Sequence, residues 1–188
     1  MFVERKNIAC RANNSCLFIT YVCAMPKKLF IVRHAKSDWS HEGMSDFERP
    51  LNERGLRNAP FMADKIAEAG HAIDFILTSP ANRAITTAGF FKRRLGLRDN
   101  QWDTERKIYE ADVNRLLTII RQLDDQYSCI MLFGHNPGLS SLVNELTGEW
   151  VMMPTCGIAE IEIPFDSWSL VSSATCNLVS FDFPKRYV

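Results

Sequence analysis

Several absences narrow the field before any residue is singled out. The 188-residue chain sets 22 Lys+Arg against 22 Asp+Glu, so its formal net charge is zero. No field of one sign is available to hold nucleic acid or an anionic membrane, and neither is expected as a partner. No apolar run approaches the roughly 20 residues that a membrane-spanning helix needs. The nearest candidate, residues 17–24, is short and lacks a clean small-x-small cleavage site for a signal peptide. The six cysteines (Cys10, Cys16, Cys23, Cys129, Cys156 and Cys176) form no C-x-x-C pair and have no histidine at metal-ligand spacing. Free thiols and a reducing, cytoplasmic compartment are expected. Repeats and low-complexity tracts are absent too. What is left is one domain of ordinary composition, 46% hydrophobic and 23% charged, long enough to bury a core without staples.

Residues 1–24 differ in character from the rest. Met25 is followed by Pro-Lys-Lys and then a strand-like run. Residues 25–188 are therefore read as the functional domain, and 1–24 as an upstream extension outside the fold. From there strands and helices alternate. Residues 28–33 (KLFIVR), 73–77 (IDFIL) and 128–133 (SCIMLF) are apolar runs of strand type. Residues 53–69 read as a helix, with Leu56, Ala59, Ala63, Ile66 and Ala67 on one face, Asn52 as N-cap and Gly70 as stop. A second helix starts near Pro80 and runs to about Leu95. A short strand is expected at 106–110. Val113, Leu116, Leu117, Ile120 and Leu123 stripe a third helix, and Leu139, Leu142, Val143 and Leu146 a fourth. Residues 157–163 and 175–183 alternate like half-exposed strands. This order predicts an α/β fold of three layers, α/β/α. Its mainly parallel sheet would be covered on both faces, with the last two strands as antiparallel edges.

In such sheets, ligands bind beyond the carboxyl ends of the strands. Three of those ends carry Arg33-His34-Ala35-Lys36-Ser37, Ser79-Pro80-Ala81-Asn82-Arg83 and Gly134-His135-Asn136-Pro137-Gly138. Two of only four histidines in the chain fall there, with Arg33 and Arg83. Taken singly, each reads equally well as a helix cap or a carboxylate's partner. Together, with no acidic cluster for a metal, they point to phosphate chemistry. Guanidinium forks bind phosphate oxygens bidentately, and a neutral imidazole attacks phosphorus directly. A cysteine nucleophile is not indicated, because no Cys and Arg stand at the spacing of a cysteine-dependent phosphate loop.

Arg33-His34-Ala35 resembles the Arg-His-Gly/Ala signature of the histidine phosphatase superfamily, the phosphoglycerate mutase-like group. The run RHAKSDW is similar to that of its SixA-type phosphohistidine phosphatase branch. The likeness continues from Lys27 onward. It takes in the D-x-x-R-P-L stretch that starts at Asp46, Ser79-Pro80 with Arg83 and Thr87-Ala88, Tyr109-Glu110-Ala111, and Gly134-His135-Asn136-Pro137. The resemblance implies a phosphoglycerate mutase-like fold and a metal-independent phosphatase without a cofactor. It implies that His34 becomes a phosphohistidine and that Arg33, Arg83 and His135 hold the phosphoryl oxygens. Glu110 would be the acid for the leaving group, with Asp38 and Asp112 as competitors.

Four further residues stay open between structural and functional roles. Arg49 either lines the pocket or pairs with Asp46, Ser37 is placed to hydrogen-bond a phosphoryl oxygen, and Asn136 with Gly138 shapes the turn into the fourth helix. Only 51 residues separate Arg83 from His135, which leaves little for a lid. An open site suits a bulky substrate. Phosphohistidine in a protein is therefore the expected substrate of a monomeric enzyme. A small phosphoester and a non-catalytic phosphate-binding module are the alternatives.

Overall fold

The computed structural model describes residues 25–40 and 43–187, so the expected extension at 1–24 lies outside the described residues. Six strands form one sheet in the order β3-β2-β4-β1-β5-β6. They are β1 (Lys27–Arg33), β2 (Phe75–Thr78), β3 (Trp102–Thr104), β4 (Cys129–Gly134), β5 (Ile158–Ile163) and β6 (Asn177–Asp182). The first four are mutually parallel, and β5 and β6 add antiparallel at one side. The helices are α1 (Glu53–Glu68), α2 (Asn82–Arg94), α3 (Val113–Arg121) and α4 (Gly138–Thr147).

The sheet separates two cores because strand side chains alternate in direction. Phe30 and Val32 of β1, with Met131 and Phe133 of β4, pack among Ala59, Met62, Ala63 and Phe91 of α1 and α2. Leu29 and Ile31, with Ile130 and Leu132, face Leu116, Ile120, Leu139 and Leu142 of α3 and α4. Strands buried on both faces read as the unbroken apolar runs seen in the sequence. The α/β/α layering expected from the pattern is the observed architecture.

One element is misplaced by the sequence pattern. Residues 106–110 are not a strand; Arg106–Ile108 is a 3-10 turn, and the third strand is Trp102–Thr104. The Glu105 carboxylate accepts from the Lys107 N–H at 2.8 Å, and the Ile108 N–H donates to the Glu105 carbonyl at 3.1 Å. These local bonds satisfy the backbone without a partner strand. The pairing that β2 needs on its outer edge comes from residues 102–104 instead.

Register decides where the chemistry collects. Arg33 pairs with Gly134 across β1 and β4, and Thr78 with Phe133 across β2 and β4. The next residues are His34, His135 and Ser79. The chain leaves β1 through α1 on one face and leaves β4 through α4 on the other, so a crevice opens between these two strand ends.

The loop after β1 folds back onto α1. A Cβ on Gly55 would sit 2.2 Å from the Lys36 carbonyl oxygen. That oxygen accepts from the Asn52 N–H at 3.0 Å, and the Asn52 side chain caps the helix from the Gly55 N–H at 3.0 Å. Gly55→Ala gains roughly 1 kcal/mol of helix propensity. It meets a backbone overlap expected to cost about 1–3 kcal/mol. A net loss is expected, read as a lower midpoint of thermal unfolding; a higher midpoint would show that the loop does not approach so closely.

Candidate active site

His34 follows β1 directly and is buried, 7% exposed. Its main chain is tied on two sides. The His34 N–H donates to the Gly134 carbonyl at 3.1 Å, and the Cys156 N–H donates to the His34 carbonyl at 3.0 Å. Next to it, the Ala35 N–H donates to Thr87 Oγ1 at 3.0 Å, and that hydroxyl donates to the Arg83 carbonyl at 2.6 Å. Thr87 thus fixes α2, which carries Arg83, against the loop that carries His34.

The imidazole tautomer follows from its neighbours. His34 Nδ1 lies 2.7 Å from the Ala35 carbonyl oxygen, which can only accept, so Nδ1 carries the proton. Nε2 is then the unprotonated nitrogen, and Arg83 Nε donates to it at 3.3 Å. Burial pushes the His34 pKa down to about 3; the charges of His135, Arg83 and Arg33 push the same way, and the bond to Ala35 opposes them. Guanidinium repulsion contributes, but burial is the larger cause.

His135 follows β4, and its ring centroid is 5.1 Å from that of His34. Its Nε2 is 2.7 Å from Ser79 Oγ, at the end of β2. Burial first, then the Arg83 charge, lowers its pKa to about 3 as well. Nδ1 of His135 is buried without a protein partner, and so is Nε of Arg33, whose Nη1 donates to the Met153 carbonyl at 2.8 Å. With Asn136 Oδ1 they are three buried polar atoms around these strand ends without a hydrogen-bond partner, where such groups are usually paired.

Arg83 and Arg49 converge on one carboxylate. Asp46 Oδ2 accepts from Arg83 Nη2 at 2.8 Å and from the Tyr109 hydroxyl at 2.8 Å. Asp46 Oδ1 accepts from Arg49 Nε at 3.0 Å and also from Arg49 Nη2. Arg83 Nη1 donates to the Asp46 carbonyl. Partial burial raises the Asp46 pKa, but the bonds from Tyr109 and Arg49 and the Arg83 charge outweigh it and bring it to about 2. Arg49 Nη1 donates to Ser37 Oγ at 3.1 Å. Both readings of Arg49 hold together: it pairs with Asp46 and it lines the site.

Of the residues singled out in the sequence, Arg33, His34, Ser37, Arg49, Arg83, Glu110 and His135 line one cavity of about 690 Å³, as do Asn136 and Gly138. Asp112 lines it too, but its carboxylate caps α3 by accepting from the Arg115 N–H at 2.8 Å. Asp38 turns to Ser40, accepting from its N–H at 2.9 Å and its hydroxyl at 2.8 Å. Glu110 has a left-handed φ of 55°. The segment behind it is held by a close approach, since a Cβ on Gly138 would lie 2.1 Å from the Ala111 carbonyl oxygen.

Sequence reasoning gives Asp46, Tyr109 and Ser79 no place in the site, although all three stand inside its motifs. The one available signal was a carboxylate three residues before Arg49.

Among the described residues no group of three or more His, Cys, Asp or Glu is arranged to hold a metal, and no helix is long and apolar enough to cross a membrane.

The profile of the histidine phosphatase superfamily (branch 1) matches residues 29–127, which hold His34, Arg49, Arg83 and Glu110. The chain belongs to the histidine phosphatase superfamily. Within it the fold is of SixA type. The provisionally assigned phosphohistidine phosphatase SixA of Agrobacterium tumefaciens superposes with a TM-score of 0.71 at 27% identity, covering 84% of this chain and 98% of that one. The protein histidine phosphatase SixA complexed with tungstate gives 0.73 at 24% identity, over 86% and 99%. An uncharacterized protein of Mycobacterium tuberculosis is 29% identical over 167 residues, 82% of this chain and 100% of its own. The 51 residues between Arg83 and His135 are taken up by the rest of α2, by β3, α3 and β4, and by the turns joining them. Nothing in that stretch forms a separate layer over this histidine phosphatase site.

Proposed function

We propose that this histidine phosphatase removes phosphate from phosphohistidine in a protein, through a phosphohistidine intermediate on its own His34 and without a metal. One observation carries the reading. The Nδ1 proton of His34 is held by the Ala35 carbonyl, which turns the Nε2 lone pair toward the arginines of the cavity.

A phosphoryl group entering there takes the place of the imidazole as partner of the Arg83 Nε–H. Arg33, Arg83 and His135 then surround its three oxygens, with Ser37 as a further donor. Fixed donors of this kind stabilise the charge on the equatorial oxygens without reorganising during the reaction. His34 Nε2 bonds to phosphorus as the bond to the leaving nitrogen breaks, and the leaving imidazole keeps the electron pair and gains a proton. Water then attacks phosphorus, the P–Nε2 bond breaks, and inorganic phosphate leaves neutral His34 behind. Glu110 lines the same cavity and is the proton donor in this scheme.

A protein substrate is supported by the SixA relatives and by the lack of a separate covering layer in the described stretch between Arg83 and His135. A small phosphomonoester is the second reading, favoured by Glu110 itself, because an alkoxide needs an acid more than an imidazole does. The test compares phosphate release from a phosphohistidine peptide and a phosphoserine peptide in the presence of a chelator. Faster release from phosphohistidine is expected; a preference for phosphoserine, or loss of activity in chelator, overturns the reading.

The pH dependence follows from the two lowered imidazole pKa values. Both rings stay neutral well below their ordinary value near 6.5. Histidine NMR is expected to show no titration of His34 or His135 between pH 8 and 5. In the unfolded chain the same rings protonate near 6.5, so the unfolded state binds more protons between about 6.5 and 3. Stability should therefore fall as pH drops through that window. A titration of either ring near 6.5 would contradict the buried neutral pair.

A further inference from the structure

The mouth of the cavity carries a feature that the phosphoryl chemistry does not use. Trp39 lines the same cavity as His34 and is 72% exposed. Scattered surface aromatics need no explanation, but this one is held in place. The Asp38 N–H donates to the Pro50 carbonyl at 2.9 Å, and the Ser40 N–H donates to Asp38 Oδ1 at 2.9 Å, so the backbone on both sides is fixed. One face of the indole lies on Arg49, whose guanidinium carbon is 3.4 Å from the ring centroid. Arg49 is itself buried and anchored on Asp46 and Ser37. Arg49 of the phosphoryl pocket thus backs an exposed aromatic plate on one of its faces.

We infer that Trp39, backed by Arg49, is a leaving-group subsite for a flat aromatic ring bonded directly to the phosphoryl group, such as the imidazole of phosphohistidine. The inference rests on the phosphatase reading above and adds the residue that selects the substrate. In-line displacement gives the direction. With His34 on the floor of the cavity, the bond that breaks lies opposite Nε2, and the departing group leaves toward the mouth. Trp39 lines that cavity and its indole is exposed, so it can offer a departing ring a π surface, whereas a serine-type leaving group has no π face to offer in return. The plate is already ordered by Arg49, so stacking costs little further side-chain freedom. A ring-on-ring contact of this kind is expected to contribute about ten-fold in affinity.

The test uses phenylphosphonate and methylphosphonate, which carry the same head group on a ring and on a methyl group and are not hydrolysed. Calorimetry gives their dissociation constants for the wild-type chain, for Trp39→Leu and for Trp39→Phe, each checked for folding by thermal unfolding. Wild type is expected to prefer the phenyl compound by about ten-fold. Trp39→Leu, which keeps apolar bulk without a π face, should lose most of that preference, and Trp39→Phe should keep most of it. An undiminished preference in Trp39→Leu, or none in wild type, overturns the subsite. Release of phosphate from a phosphohistidine peptide separates this from the phosphatase reading. Turnover with a preference that ignores Trp39 overturns the subsite alone. A Trp39-dependent preference without turnover supports the subsite and overturns the phosphatase.

Discussion

His34→Ala is expected to lower turnover of every phosphoryl donor by about 10⁴-fold or more, the scale on which enzymes lose rate when a covalent nucleophile is removed. The size follows from the proposed route. If both half-reactions pass through P–Nε2 bonding, no residue in the cavity replaces that atom. His135 is 5.1 Å away between ring centroids and its Nε2 is engaged with Ser79 Oγ, so the ring is held in a different place from that of His34. Binding of inorganic phosphate should persist in the variant, because Arg33, Arg83 and His135 remain, and that binding shows that the variant is folded. A loss of only about ten-fold would mean that water attacks the substrate directly in a pocket that merely polarises it, and His34 would then be a ligand-binding residue.

Arg83→Ala is expected to cost about 10²- to 10³-fold in kcat/KM, the usual effect of removing one fixed donor to developing charge. Arg83 is 5% exposed and serves three partners: Nε donates to His34 Nε2, Nη1 to the Asp46 carbonyl and Nη2 to Asp46 Oδ2. Its removal takes away the donor beside the nucleophilic nitrogen and leaves the Asp46 carboxylate with less positive charge beside the phosphoryl site. Arg83→Lys should recover little, since an ammonium is a point charge and cannot span His34 and Asp46 as the planar fork does. Steady-state kinetics on both variants decide the matter. A change below about five-fold for Arg83→Ala, far under the donor-removal range, would take Arg83 out of the reacting group.

The strand ends are legible in the sequence because the apolar runs stop where histidine or Ser-Pro begins, and each buried run of β1, β2 and β4 is found within two residues of its observed place. The third strand is not legible. Trp102–Thr104 has three residues and no period, and it is a strand only because Ile76–Thr78 pairs with it. The catalytic candidates stand out as motifs, but their supports do not. Asp46 and Arg83 are 37 residues apart, and Tyr109 reaches Asp46 across 63. Nothing local marks such partners; the fold brings them together through the loop that the N–H of Asn82 holds by the Phe47 carbonyl at 3.0 Å. Trp39 reads in sequence as one letter of RHAKSDW, and only its stacking on Arg49 gives it a separate significance.

The central claim is a covalent bond between phosphorus and His34, and trapping tests it most directly. Wild type and His34→Ala are mixed with ³²P-labelled phosphohistidine protein and quenched in alkali, where phosphohistidine survives. Label on the wild-type chain, mapping to the peptide that contains His34 and absent from the variant, is the predicted result. Phosphate release by wild type with no label on the chain, or equal label on both proteins, would contradict it.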